Sequence, residues 1–97
     1  MRGLTFVWDE SKDRANQRKH GISFAEARTV FYDENAREYA DPDHSAREER
    51  FILLGISSRL RMLVVCHCYR ESESVIRIIS ARMAQRSEEE TYWSQDT

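Results

Sequence analysis

The sequence predicts an α+β fold in a single domain spanning residues 1–97: a small antiparallel sheet with helices packed on one face, in the order β-α-α-β-β-β-β-α. Three observations predict it. Residues 49–57, 61–69 and 75–82 are runs rich in β-branched and apolar residues. The turns between them, 58–60 and 70–74, are short, which makes successive strands antiparallel neighbours. Two capped helical patterns lie upstream in residues 9–31, and 97 residues suffice for one modest core.

Each element has a local reason. Residues 4–8 form a short apolar run that reads as a first strand. Asp9 is placed to cap a helix over residues 10–19, a segment almost without apolar residues except Ala15 and therefore mostly solvated. Gly21 supplies the left-handed position that ends it. Ser23 and Glu26 form an S-x-x-E capping box for a second helix over 24–31, whose stripe is Phe24, Ala27, Val30 and Phe31. Residues 36–40 read as an edge strand, and Asp41-Pro42-Asp43 opens a polar loop. Ser87 and Glu90 suggest a cap for a last helix ending near Trp93.

Charge is divided along the chain. Residues 1–86 hold all fifteen Lys and Arg with thirteen Asp and Glu, whereas residues 87–97 hold four acidic residues and no basic one. A nearly neutral body argues against strong nonspecific binding to nucleic acid but leaves room for a local basic cleft. The longest strongly apolar run, residues 62–66, is too short to span a bilayer, and the first residues lack a signal-peptide core, so the expected location is cytoplasmic with no membrane contact. Cys66 and Cys68 sit two apart on one strand, a poor geometry for a disulfide.

Several groups are candidates for chemistry. Arg77 lies inside the run of residues 75–79, and Arg82 closes the strand. A guanidinium fixed on a strand holds phosphate through paired hydrogen bonds without a metal. By simple alternation Arg77 and Arg82 point to opposite faces unless a bulge intervenes. Lys19 and His20 end the first helix, where histidine is a natural proton carrier, although basic residues also favour a helix C-terminus for electrostatic reasons alone. Arg82 has a structural alternative too, an ion pair with Glu88 that fastens the last helix. Cys66, His67 and Cys68 invite zinc, but His67 points away from the two thiols. Asp41, Asp43, His44, Glu48 and Glu49 make an acidic loop that lacks the glycine and spacing of a calcium site and reads as a solvated connection.

In sequence order, WDE, KHGISFAEA, HSAREERF, LGISSRLR, LVV and RIISAR resemble the BrnT family of bacterial toxins, over about residues 6–92. The resemblance implies a RelE-like fold, endoribonuclease activity that inhibits translation, and a BrnA-like ribbon-helix-helix antitoxin through which alone the protein contacts DNA. The strand arginines with Lys19 and His20 add the expectation that the ribonuclease is metal-independent and needs no cofactor, and a sheet apolar on both faces but partly covered adds that of a permanent 2:2 complex with the antitoxin. Matched by motif, Lys19 and His20 correspond to the family's KH pair, Arg50 to its ERF arginine, Arg61 to its GR position and Arg82 to its SAR arginine. Together they are the expected active cluster, with His20 for proton transfer and the arginines for charge. Two departures stand out. Leu60 replaces a usual hairpin glycine, and the last helix is acidic where the family's is basic. The rival reading is a non-catalytic module that docks the antitoxin and acts only as corepressor.

Overall fold

The computed structural model describes residues 3–42, 48–70 and 72–94. Five strands form one sheet: β1 (Thr5–Val7), β2 (Arg37–Ala40), β3 (Phe51–Ile56), β4 (Met62–Arg70) and β5 (Ser72–Met83). Their spatial order is β1-β5-β4-β3-β2. Helices α1 (Glu10–His20) and α2 (Phe24–Thr29) follow β1, a single 3-10 turn covers Val30–Tyr32, and α3 (Arg86–Trp93) ends the described chain. The α+β class and the element order agree with the sequence expectation. Two details differ. β1 runs parallel to β5, which makes the sheet mixed, and the helices occupy both faces.

The two faces follow from alternation. Leu53, Leu63, Val65 and Ala81 turn toward α2 and join Ile22, Phe24, Ala27 and Val30 in the main core. Leu54, Met62 and Val64 turn the other way and meet Tyr92 of α3 in a smaller cluster. The second face has one end under α3 and a far end that this eight-residue helix does not reach, where Glu48 packs on the buried Cys68. No helix among the described residues is long and apolar enough to cross a membrane.

Local chemistry sets the helix ends. Asp9 accepts from the backbone of Ser11 and Lys12, and Gly21, at φ 73°, returns its N–H to Gln17. Ser23 caps α2 by accepting from the Glu26 backbone at 3.0 Å. The Glu26 side chain does not complete the expected box, since its carboxylate accepts from Ser57 and Arg61 instead. For α3 the cap is Gln85 with Glu88, two residues ahead of the expected Ser87–Glu90 pair.

Asn16, the buried residue of α1, closes part of the β5 edge. Its Nδ2 donates to the carbonyls of Ala81 and Ile22, both at 2.8 Å, and its Oδ1 accepts from the Ala81 N–H at 3.1 Å. One amide thus meets the donor and acceptor that a neighbouring strand would otherwise satisfy. The bond also fixes the last turn of α1 beside the Ala81–Met83 end of β5.

Candidate functional site

The site is made by an irregularity in β5. Val64 pairs with Arg82, Val65 with Ala81 and Cys66 with Ser80, but His67 then pairs with Ile78. Ile79 is surplus, a β-bulge that resets the alternation. Arg77, opposite Cys68, consequently shares the α3-side face with Arg82, opposite Val64. Simple alternation had placed these two arginines on opposite faces, and the bulge overturns that expectation. Four positions of β4 separate their partners, roughly 13 Å at a strand rise of 3.3 Å.

Arg50 joins the same face. The β2–β3 pairing continues one step past the strand, with Asp41 N–H donating to the Arg50 carbonyl at 2.9 Å, so Arg50 keeps the parity of Ile52 and Leu54. Arg37, paired with Leu54, lies on this face as well and donates to the Thr91 carbonyl at 3.2 Å. At the covered end, Arg82 forks onto Glu88 with bonds of 2.9 and 2.8 Å. The same Glu88 oxygen accepts from Gln85 N–H at 2.7 Å, so the ion pair and the helix cap are one structure. The Arg82 guanidinium holds the Glu88 carboxyl below its ordinary range. At the far end, Glu48 lies between Arg77 and Arg50 and accepts from the Cys68 thiol at 3.3 Å, and Arg77 above all holds its carboxyl down to about 2.

The remaining expected residues lie elsewhere. Arg61 has the parity of Leu63 and Val65 and belongs to the α2 side of the sheet. It donates through Nε to Glu26 at 2.9 Å and through a terminal nitrogen to the Gly21 carbonyl at 3.2 Å. The Glu26 side chain is only 4% exposed, and the Arg61 hydrogen bond first, then Ser57, keeps its carboxyl below its ordinary range. Lys19 is exposed and His20 half-buried in the last turn of α1. His20 is four residues beyond Asn16 and so lies on the helix stripe that meets the β5 edge. The five expected residues do not converge in one pocket. The structure joins Arg50 to Arg77, fastens Arg82 to α3, and sets Arg61 beside the end of α1 that carries Lys19 and His20. Arg77 was absent from the expected cluster because a bulge inside the unbroken run of residues 76–79 carries no glycine or other mark in the sequence.

Cys66 and Cys68 also line the arginine face. Burial and the neighbouring Asp41 push the Cys66 thiol up to about 11, and burial with Glu48 raises Cys68, so neither is an activated nucleophile. His67 points to the opposite face, where its Nε2 meets Glu38 at 2.8 Å and its ring packs edge-on against Phe31. Among the described residues no group of three His, Cys, Asp or Glu side chains is placed to hold a metal ion. Asp43 and His44 of the acidic loop lie outside the described residues. A cleft of about 810 Å³ opens on the α2 side of the sheet, with Phe31, Phe51 and Tyr69 among its walls and, among the described residues, four carboxylates, of Glu38, Glu48, Glu49 and Glu73, lining it with the single cation Arg70. Its carboxylates make it unfavourable for phosphate, whereas the arginine face suits an anion.

A family model described as "Ribonuclease toxin, BrnT, of type II toxin-antitoxin system" matches residues 8–88. Among solved structures, the chain is similar to the Brucella abortus ribonuclease toxin BrnT. The TM-score is 0.62 at 24% identity, over 86% of this chain and 99% of that chain, a likeness of fold. A search of curated proteins gave no match. Since the family match runs from the end of β1 into α3 and takes in the bulged strand with all its arginines, the chain belongs to the BrnT family, the ribonuclease toxins of type II toxin–antitoxin systems.

Proposed function

We propose that this toxin is a metal-independent endoribonuclease that inhibits translation by cleaving RNA in the cytoplasm, with the α3-side face of the sheet as its phosphate-handling surface. The bulge at Ile79 carries this reading, because it brings Arg77, Ser80 and Arg82 onto the face that bears Arg50. In such a reaction the RNA 2′-hydroxyl attacks the adjacent phosphorus, a base takes its proton, an acid protonates the leaving oxygen, and guanidinium groups hold the extra negative charge. Arg50 and Arg77 serve the far end of the face, away from α3, and Arg82 the end nearer α1. His20 is the proton carrier and Lys19 a mobile charge beside it. Arg61 acts as a positioning residue, holding the carbonyl of Gly21, next in sequence to His20. Permanently charged guanidinium groups do here what a divalent ion does in many nucleases.

A gel assay of RNA cleavage in EDTA tests the proposal. Cleavage should persist without divalent ions and fall by about a hundredfold or more when Arg50 and Arg82 are both replaced by alanine. A requirement for magnesium, or full activity in that double variant, overturns it. The corepressor reading draws its support from the pairing of Arg61 and Arg82 with carboxylates. Expression of the chain alone in a bacterium separates the two: growth arrest relieved by a co-expressed partner supports the nuclease, and harmless expression of folded protein supports the module.

Membership of the family implies an antitoxin partner. The partner we propose is BrnA-like, with a ribbon-helix-helix domain whose two-fold symmetry yields a 2:2 complex and makes all contact with DNA. Light scattering of the co-expressed pair should give the mass of two toxins and two antitoxins. A stable monodisperse toxin monomer in the presence of antitoxin counts against it.

A further inference from the structure

Glu48 lies between two guanidinium groups at opposite sides of Cys68. Its Oε2 accepts from an Arg77 terminal nitrogen at 2.7 Å, and its Oε1 accepts from two nitrogens of Arg50 at 3.4 Å each. Two observations mark the carboxylate as an imperfect occupant. Among the described residues, Arg77 offers a fork but uses one tine of it here, and its Nε is buried without a hydrogen-bond partner. The Arg50 bonds are long for charge-assisted contacts, which normally close to about 2.7–2.9 Å. Here the planar carboxylate meets one edge of Arg77 while it reaches toward Arg50. A tetrahedral phosphate presents oxygens in more directions. The Glu48 side chain is also 33% exposed, so it has water to move into.

We infer that Arg50 and Arg77 form a phosphate subsite for RNA, and that Glu48 is its resident occupant, displaced when a phosphodiester enters. The inference rests on the ribonuclease reading and extends it to a threshold built into the site. A single free anion must compete with a carboxylate already in place. An RNA strand that also reaches Arg82, which is 39% exposed beside its Glu88 partner at the other end of the face, gains a second anchor and displaces Glu48 more readily. Selection thus favours chains over isolated phosphates without any contact to a base.

The probe is a short RNA methylated at its 2′-hydroxyls, which binds without being cut, followed by fluorescence anisotropy. Glu48→Gln removes the competing charge and should tighten binding about fivefold, the size of one partly exposed ion pair. Glu49→Gln removes an equal charge one residue away and should change binding less than about twofold, since its side chain is exposed and exposed charges interact weakly. Arg77→Lys in the Glu48→Gln background keeps the charge, loses the fork and should cancel the gain. Thermal unfolding of each variant confirms that folded protein is compared. Glu48→Gln binding no tighter, Glu49→Gln matching it, or Arg77→Lys retaining the gain would each overturn the subsite. Cleavage of unmodified RNA is scored separately. The binding pattern without cleavage leaves the subsite standing and removes the nuclease reading, and cleavage without the binding pattern does the reverse.

Discussion

At the scale of single residues, the hairpin between β3 and β4 holds the plainest energetic defect. Leu60 sits at φ 63° and is 85% exposed. Its N–H donates to the Ser57 carbonyl at 2.9 Å, and Ser57 N–H donates to Arg61, the bond pattern of a tight turn followed by a left-handed residue. An L-residue with a Cβ pays steric energy there that glycine does not. Glycine also loses more chain freedom on folding, which offsets part of the gain. Leu60→Gly should therefore stabilise the protein by about 1 kcal/mol, or several degrees in melting temperature. A lower melting temperature would show that the leucine side chain makes contacts of its own. Gly55 is the opposite case. A Cβ there would lie 2.9 Å from Ala36 Cβ, Asp33 Oδ2 and Val30 Cγ1, so the strand and the 3-10 turn approach only because that atom is missing.

At the scale of elements, two ion pairs fasten helices to the sheet: Glu26–Arg61 for α2 and Glu88–Arg82 for α3. Both carboxyls titrate below their ordinary value of 4.5 in the folded chain. The unfolded chain therefore binds more protons as pH drops. The stability these pairs give is complete above about pH 4.5 and fades as pH falls through the depressed values. Circular dichroism against pH checks the sign. Glu26→Gln should be less stable at neutral pH and lose less stability on acidification than the parent. Equal slopes for the two proteins would remove Glu26 from the account. Arg61→Ala should lower the melting temperature by a similar mechanism, whereas Arg50→Ala, whose contacts are long and half exposed, should leave it nearly unchanged.

The elements themselves were legible because each is a local pattern. Asp9, Gly21 and Ser23 mark helix ends through their own side chains or lack of one, and the apolar runs between short turns declare antiparallel neighbours. The parallel placement of β1 was not legible, since residues 5–7 look the same whichever way their partner runs. The arginine face was half legible. Arg50 and Arg82 could be named from motif and strand position. Arg77 could join them only on condition of a bulge, because surplus residues in a strand are a matter of pairing, and pairing involves β4 as much as β5. Arg61 illustrates the converse limit. Its strand parity was read correctly, but only the fold shows that α2 covers that parity and supplies Glu26.

For the molecule as a whole, arginines gather on one face of the sheet. Arg37, Arg50, Arg77 and Arg82 lie on the α3 side with Glu48 and Glu88 between them, and the cleft on the α2 side is lined, among the described residues, by four carboxylates and Arg70. A nearly neutral protein can thus still orient a polyanion. If Arg50, Arg77 and Arg82 each neutralise one phosphate, the logarithm of RNA affinity should fall with the logarithm of salt with a slope of about −2, at roughly 0.7 per contact for single strands. Titrations at several ionic strengths measure it. A slope steeper than about −5 would require a far wider basic track than this surface offers.

Ile79 has a consequence for how such a gene can change. Arg77 and Arg82 lie five residues apart yet share a face because one residue between them is unmatched. Losing a single codon there would leave them four apart, on one face by plain alternation, whereas losing two would turn one portion of the strand inside out relative to the other. Greasy side chains would then exchange places with cationic ones, and the protein would lose its interior and its grip on the ligand in one event. Lineages carrying this toxin should therefore tolerate the loss of one residue in that stretch but not of two.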